Sequence, residues 1–309
     1  MISILLTSYN GEKYISEQIE SLLNQTMQDF RLFISDDRST DNTFEIALEY
    51  AGKYPGKINI VQNKENSGGA KYNFIKMMIE HKDDYVMLCD QDDVWLPNKI
   101  EATLTKMKTM ENEFGARTPL LVHTDLCVVN EKLETISPSF KAAMNADYGK
   151  TRLHNQIIQN TLTGCTAMYN RALADLIIIG IPPFIVMHDW WLMLIASAFG
   201  KISSLDMQTV LYRQHNMNEI GAKDVRTFRY KLRKIINNKE IKEAIAGTYL
   251  QAESFLNVYK RQLSQEQIDL LEEYCKIPLK NKLKKWQTVL RLGTLKNGFA
   301  RNVAYFLFI

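Results

Sequence analysis

The run Asp90-Gln91-Asp92-Asp93 places three carboxylates within four residues, directly after the apolar stretch Tyr85 to Cys89. Crowding carboxylates where a strand ends is unfavourable unless a cation offsets their repulsion. Mg²⁺ or Mn²⁺ would take such oxygens and keep positions open for phosphate, so the run can bridge a protein to a diphosphate. The competing reading is a solvated loop in which Asp93 caps the helix starting near Pro97. A second acidic loop, Asp36-Asp37-Arg38-Ser39-Thr40-Asp41, follows the apolar run Phe30 to Ser35. A third segment, Met187-His188-Asp189-Trp190-Trp191, carries one carboxylate apart from the others, and Tyr212-Arg213-Gln214-His215 adds a guanidinium and an imidazole.

These groups need elements to hold them. Ile2 to Thr7 reads as a β-branched strand with a turn at Ser8-Tyr9-Asn10-Gly11. Ile15, Ile19, Leu22 and Leu23 then recur at helical spacing. Phe30 to Ser35, Ile58 to Gln62 and Tyr85 to Cys89 are further strands. Asn66-Ser67-Gly68-Gly69 is a loop, and Ser39 or Asp41 caps a helix carrying Phe44, Ala47 and Leu48. Strands alternating with helices predict an α/β fold with a mixed, mostly parallel sheet flanked by helices. Ligands of such sheets sit at the carboxyl ends of the strands, where the acidic loops fall. Strands are also predicted at Leu120–His123, Leu126–Val129, Thr163–Tyr169 and Val210–Arg213, with an apolar helix from Asp189 to Ala198. Beyond Gly221 the pattern is helical, which divides the chain into residues 1–222 and a basic helical region 223–309.

The 309 residues, 46% hydrophobic and 24% charged, suffice for a real core and exclude a disordered chain. Cys89, Cys127, Cys165 and Cys275 lie far apart without a CxxC pair, against a zinc knuckle or a disulfide scaffold and in favour of a reducing compartment. Met1 runs straight into a strand, and the apolar stretch Leu176 to Val186 is broken by Gly180 and Pro182-Pro183. A cytoplasmic protein is the expectation. The net charge of +3 hides a division: from Lys223 onward 18 Lys and Arg face 8 Asp and Glu, while the body before it is acidic.

Several motifs, in order, resemble glycosyltransferase family 2. Ser3-Ile4-Leu5-Leu6-Thr7-Ser8-Tyr9-Asn10-Gly11 is similar to its opening strand and turn, and Ser35-Asp36-Asp37-Arg38-Ser39-Thr40-Asp41 to its DDGSTD loop, with Arg38 where glycine is usual. Cys89-Asp90-Gln91-Asp92-Asp93-Val94-Trp95 resembles the DQDDVW form of its bacterial rhamnosyltransferase branch. The resemblance covers roughly the first 220 residues and implies a GT-A fold. It also implies that Thr7, Tyr9 and Asp37 line the nucleotide base pocket, with Tyr9 stacking and Asp37 accepting from a ring N–H. Asp90 would approach the ribose, Asp92 would ligate the metal and Lys71 would reach the sugar diphosphate. Inverting transfer needs one carboxylate to take the acceptor hydroxyl's proton. Asp189 resembles that base in the family's ED segment, with His188 in place of glutamate. Arg213 and His215 would clamp the diphosphate or help hold the metal.

The resemblance thus implies an inverting, metal-dependent enzyme moving a sugar from a nucleotide-diphosphate donor to a glycan or lipid-linked acceptor in bacterial surface polysaccharide synthesis. Rhamnose from dTDP-rhamnose is one donor it allows. A nucleotidyltransferase forming nucleotide sugars is an alternative, but Thr7-Ser8-Tyr9-Asn10-Gly11 lacks the glycine-rich phosphate loop. A non-catalytic module recruiting partners to a membrane is another, against the intact carboxylates. From Lys276 to Ile309 eight basic residues mix with apolar and aromatic ones and no acidic one. That composition suits a peripheral membrane contact, with packing on the catalytic domain or a homodimer contact as alternatives. Nucleic-acid binding is not expected from an acidic body without a recognised module.

Overall fold

The computed structural model describes residues 1–177, 182–215 and 238–309. The expected boundary at 222 and part of the Leu176 to Val186 stretch lie outside them. The chain forms two compact units: Met1–Phe140 with Leu162–Ile181 and Gly200–Gly221, and Lys141–Thr161 with Pro182–Phe199 and Ala222–Ile309.

The strands are β1 (Ile2–Ser8), β2 (Phe30–Asp36), β3 (Ile58–Gln62), β4 (Tyr85–Cys89), β5 (Val94–Trp95), β6 (Leu120–Val129), β7 (Thr135–Ser137), β8 (Ala167–Asn170) and β9 (Lys201–Arg213). The helices are α1 (Ile15–Leu23), α2 (Thr43–Lys53), α3 (Ala70–Glu80), α4 (Lys99–Phe114), α5 (Phe140–Met144), α6 (Leu153–Gln156), α7 (Arg171–Ala174) and α8 (His188–Phe199). After these come α9 (Asn238–Tyr259), α10 (Gln265–Cys275), α11 (Lys282–Leu292) and α12 (Phe299–Phe308).

The first unit is built on one nine-stranded sheet in the order β3-β2-β1-β4-β8-β6-β9-β5, with β7 also paired to β6. β1 pairs in parallel with β2 and β4, β2 with β3, and β6 with β9, whereas β8 is antiparallel to both β4 and β6. β1 is buried along its whole length, as a strand between two parallel neighbours must be, and this is why Ile2 to Leu6 is apolar apart from Ser3. The register aligns Ser8 with Asp36 and Leu6 with Cys89, so the three strands end together with their polar loops side by side. On α1, Ile15, Ile19 and Leu22 are buried at helical spacing, and α4 buries Ile100, Thr103, Met107 and Met110 likewise.

Three local expectations shift. The strands predicted on either side of Asp125 are a single β6, with register irregularities around Asp125 against β9. Its buried carboxylate accepts from Ser139 Oγ (2.6 Å) and Gln208 Nε2 (3.0 Å), which lets a charged residue stay mid-strand. Gly164–Thr166 is a single 3₁₀ turn before β8, and the last strand begins at Lys201 rather than Val210. Helix α2 starts after Asn42 with no side-chain cap. Asp41 sits one residue earlier, its carboxylate accepting from the Thr43 N–H at 3.0 Å.

In the second unit α8 is apolar and packs through Trp191 on Phe255 and Tyr259 of α9, with ring centroids 5.3 and 6.0 Å apart. Ser264 and Gln267 form a reciprocal capping box at the start of α10. Gly293, with φ +67°, ends α11 in the left-handed conformation that glycine adopts without strain.

Candidate active site

At the carboxyl ends of β1 and β2 two loops are tied to one another. The Asn10 N–H donates to Ser39 Oγ (3.0 Å), Gly11 N–H to Thr43 Oγ1 (2.7 Å) and Glu12 N–H to Asp41 (3.1 Å). Asn10 Oδ1 accepts from the Thr40 N–H in return at 2.8 Å. Beneath them Asp36 is fully buried, accepting from Ser8 Oγ (3.1 Å), Gln62 Nε2 (3.0 Å) and the Ser39 N–H (3.0 Å). Arg38 adopts φ +63°, the conformation in which a side chain is strained and glycine is not. The departure from the family motif therefore falls where the backbone favours glycine, and Arg38 Nη1 donates to the Lys64 carbonyl at 2.8 Å.

Asp37 is buried and held from several sides. Its Oδ1 accepts from Asn63 Nδ2 (2.9 Å) and the Ser67 N–H (2.8 Å), and its Oδ2 from Ser67 Oγ (2.7 Å). Thr7 is buried on β1, whereas Tyr9 is half exposed. The Tyr9 backbone is clasped by the Gln91 amide: its N–H donates to Gln91 Oε1 (2.8 Å) and its carbonyl accepts from Gln91 Nε2 (2.9 Å). Gly11 makes room for this, since a Cβ there would lie 2.2 Å from Gln91 Oε1. The middle residue of the acidic run is thus a tie between two strand-end loops. Lys71 sits in the first turn of α3 with Nζ 4.9 Å from the centre of the Tyr72 ring.

The acidic run itself divides. Asp92 Oδ2 meets His215 Nε2 at 2.8 Å, and the His215 ring stacks on Tyr14 with centroids 4.8 Å apart. The fold thereby joins two residues separated by 123 positions. Asp93 is fully buried, its Oδ1 accepting from the Arg213 N–H (3.1 Å), and is not a helix cap; Asn98 precedes α4. Asp93 Oδ2 has no N–H or O–H donor among the described residues. Burial pushes the Asp93 carboxyl well above the usual carboxylate range, and the charges of Asp92 and Asp90 add to this. Ligand atoms of Asp90, Asp93 and Cys165 lie within 4.8 Å of one another, a set that could hold a metal ion. Burial holds the Cys165 thiol protonated, so the two carboxylates are the hard donors of that group. The buried Lys99 lies nearby, its Nζ 4.4 Å from the Trp95 ring, and burial lowers its pKa to about 8.

Arg213 is buried and its guanidinium turns into the protein. Nε donates to the Asp92 carbonyl (2.8 Å), Nη1 to the Glu131 carbonyl (2.7 Å) and Nη2 to the Glu17 carboxylate, with the group lying over the Tyr14 ring. Sequence reasoning missed this arrangement, together with the roles of Gln91, Asn63 and Ser67. For Gln91 the position inside the acidic run was a usable signal; for Glu17 there was none.

In the second unit Asp189 lies in the first turn of α8 and is buried. Its Oδ1 accepts from Asn160 Nδ2 (3.1 Å) and from the Trp190 N–H (2.6 Å), while Trp190 Nε1 donates to the Gln156 carbonyl (2.6 Å). The neighbouring His188 is buried, and burial alone lowers its pKa to about 3, so it is neutral.

A family model described as Glycosyl transferase family 2 matches residues 3–176. The chain is 28% identical over 268 residues to dTDP-rhamnosyl transferase RfbG of Shigella flexneri, covering 82% of this chain and 86% of that protein. Its fold is similar to that of S. aureus TarS 1-349 in complex with UDP-GlcNAc (TM-score 0.58, 20% identity, 94% of this chain and 79% of that one). It also resembles mannosyltransferase PcManGT from Pyrobaculum calidifontis in complex with GDP-Man and Mn²⁺ (TM-score 0.50, 14% identity, 94% of this chain and 84% of that one). The mixed sheet with flanking helices and C-terminal helices is accordingly a GT-A fold. The matched stretch exceeds half of the chain and contains both acidic loops, so this protein is a glycosyltransferase and belongs to glycosyl transferase family 2.

Proposed function

We propose that the protein is an inverting, metal-dependent transferase that takes a sugar from a nucleotide-diphosphate donor to a hydroxyl of a glycan or lipid-linked acceptor. The observation that carries this reading is the pairing of Asp92 with His215 and the convergence of Asp90 with Asp93 where parallel strands end, beside the segment that holds Asp37 through Asn63 and Ser67. Asp37, Thr7 and Tyr9 receive the base and Asp90 the ribose. The fixed Asp37 carboxylate accepts from a ring N–H, and Lys71 is directed to the sugar diphosphate. Asp92 and His215 hold Mg²⁺ or Mn²⁺, which when bound offsets charge on the leaving diphosphate. Asp93, whose Oδ2 has no N–H or O–H donor among the described residues and whose carboxyl lies beside the Cys165 thiol, fits a cation-binding pocket. Its convergence with Asp90 favours a second reading, in which those two carboxylates are the ligands.

In the transfer step the acceptor oxygen bonds to the anomeric carbon, the bond from that carbon to the diphosphate oxygen breaks, and the acceptor proton passes to Asp189. Arg213, engaged with the Asp92 and Glu131 carbonyls and the Glu17 carboxylate, serves by fixing the acidic loop. The likeness to a dTDP-rhamnosyl transferase makes dTDP-rhamnose the first donor to test, in surface polysaccharide synthesis.

The test is a thermal-shift and turnover screen of dTDP-rhamnose, UDP-GlcNAc and GDP-mannose with each metal. One donor is expected to stabilise the protein by mass action. Asp92→Ala should lose metal-dependent donor hydrolysis and transfer. Asp189→Asn should keep donor binding while transfer falls by about 10²–10⁴-fold. Full activity in Asp92→Ala defeats the metal assignment. Asp93→Asn abolishing Mn²⁺ binding while Asp92→Ala retains it selects the second reading.

A further inference from the structure

The last two helices carry apolar side chains on the outside at helical spacing. On α11 Leu283, Trp286 and Leu290 recur at intervals of three and four; Leu283 is 65% exposed and Leu290 61%. On α12 Phe299, Val303 and Leu307 recur at intervals of four, with Phe299 86% exposed. Each helix keeps a separate inner face: Val289 of α11 and Tyr305 of α12 are buried. The outward residues are therefore not needed to attach the helices.

The two stripes join into one surface. Trp286 Nε1 donates to the Phe306 carbonyl (2.9 Å), the Trp286 and Phe306 rings meet edge to face at 6.0 Å, and Lys282 Nζ donates to the Leu307 carbonyl (3.2 Å). Leu279, also exposed, precedes the same stripe. An apolar patch of this size in water marks a surface that is covered in use.

The charge around the patch decides what covers it. Glu273 of α10 pairs with Lys280 and Arg291, while Lys282 and Lys284 are exposed and Lys285 is half-buried beside Leu283 and Trp286. Between Lys276 and Ile309 there is no acidic residue. A two-fold contact between copies would set this surface against itself and oppose like charges with nothing in the segment to answer them. An anionic lipid surface answers both features, since acyl chains take the leucines and phenylalanines while headgroups take the lysines. Among the described residues no helix is long and apolar enough to cross a membrane. We infer that α11 and α12 form an interfacial platform that docks this chain on anionic bilayers.

The test uses the full chain with vesicles of phosphatidylglycerol and phosphatidylcholine in equal parts, against phosphatidylcholine alone. Co-sedimentation is expected with the anionic vesicles, weakened by salt. Trp286 emission should shift to the blue, and Trp286→Phe should remove that shift. Leu283→Glu with Phe299→Glu, and separately Lys284→Glu with Lys285→Glu, should each weaken binding about tenfold or more. Leu283, Lys284 and Phe299 are exposed and Lys285 is only half-buried, so far-ultraviolet circular dichroism should be unchanged. Equal binding to neutral vesicles, no binding to anionic ones, or unaltered binding in both double variants overturns the proposal. So does a solution dimer that Leu283→Glu with Phe299→Glu dissociates, because a second copy would then be the occupant.

Discussion

Replacing Arg213 by methionine tests whether the acidic loop is held by one buried guanidinium. Methionine keeps much of the stem's volume and removes only the fork. The Asp92 and Glu131 carbonyls then lose donors at 2.8 and 2.7 Å. A hydrogen bond to a charged group contributes about 1.5–3 kcal/mol, so the pair amounts to roughly 3–6 kcal/mol. Glu17 adds little, because its side chain is half exposed and turns to water when its partner leaves. Arg213→Lys keeps the charge, but one ammonium on a flexible stem cannot serve acceptors in three directions, so about half of the loss should remain. Glu17→Ala should cost about 1 kcal/mol or less. Urea unfolding with an unchanged denaturant slope reads these differences, and Mn²⁺ binding should weaken in the same order. A loss under about 1 kcal/mol in Arg213→Met would refute the reasoning, as would a Glu17→Ala variant equally destabilised.

Two further tests address other features. Gly11→Ala must push the Gln91 amide aside and so should match Gln91→Ala, each losing about 1–2 kcal/mol and raising the donor KM severalfold. Because both break one clasp, the double variant should be no worse than either alone; additive losses count against the clasp. His188 is neutral in the folded unit, with a pKa near 3 against 6.5 for the free side chain. Below pH 6.5 the unfolded chain binds more protons, so this contribution to stability is full above 6.5 and is lost as pH falls toward 3. By pH 5 the loss is about 2 kcal/mol, and His188→Gln should remove that part of the slope in denaturation curves taken between pH 7 and 5. Parallel curves would show that His188 charges freely in place.

The parallel core was legible because β1 and β4 are almost wholly buried, β2 is buried but for Arg31 and part of Phe33, and the polar ends of the three strands coincide. β6 was read as two pieces because Asp125 interrupts the apolar pattern, and the hydrogen bonds that allow it come from residues 14 and 83 positions away. The first half of β9 is only partly buried and mixes serine, aspartate and glutamine, so it carries neither period. At the site, the types and order of the carboxylates were visible in the sequence. The direction of each side chain was not. That Glu17, 196 residues earlier, shares the Arg213 guanidinium is not visible from the motif. Arg38 stood out as a missing glycine, and the left-handed backbone there gives that oddity its physical content.

The reciprocal ties between the loops after β1 and β2 bear on attempts to change donor preference. Residues 10–12 and 39–43 interlock through backbone N–H groups of each that donate to side-chain oxygens of the other, so neither segment can be exchanged for a relative's without stranding the other's N–H groups. A graft of one alone should fold poorly. The segment that can be transplanted is the pair, carried together with Gln91.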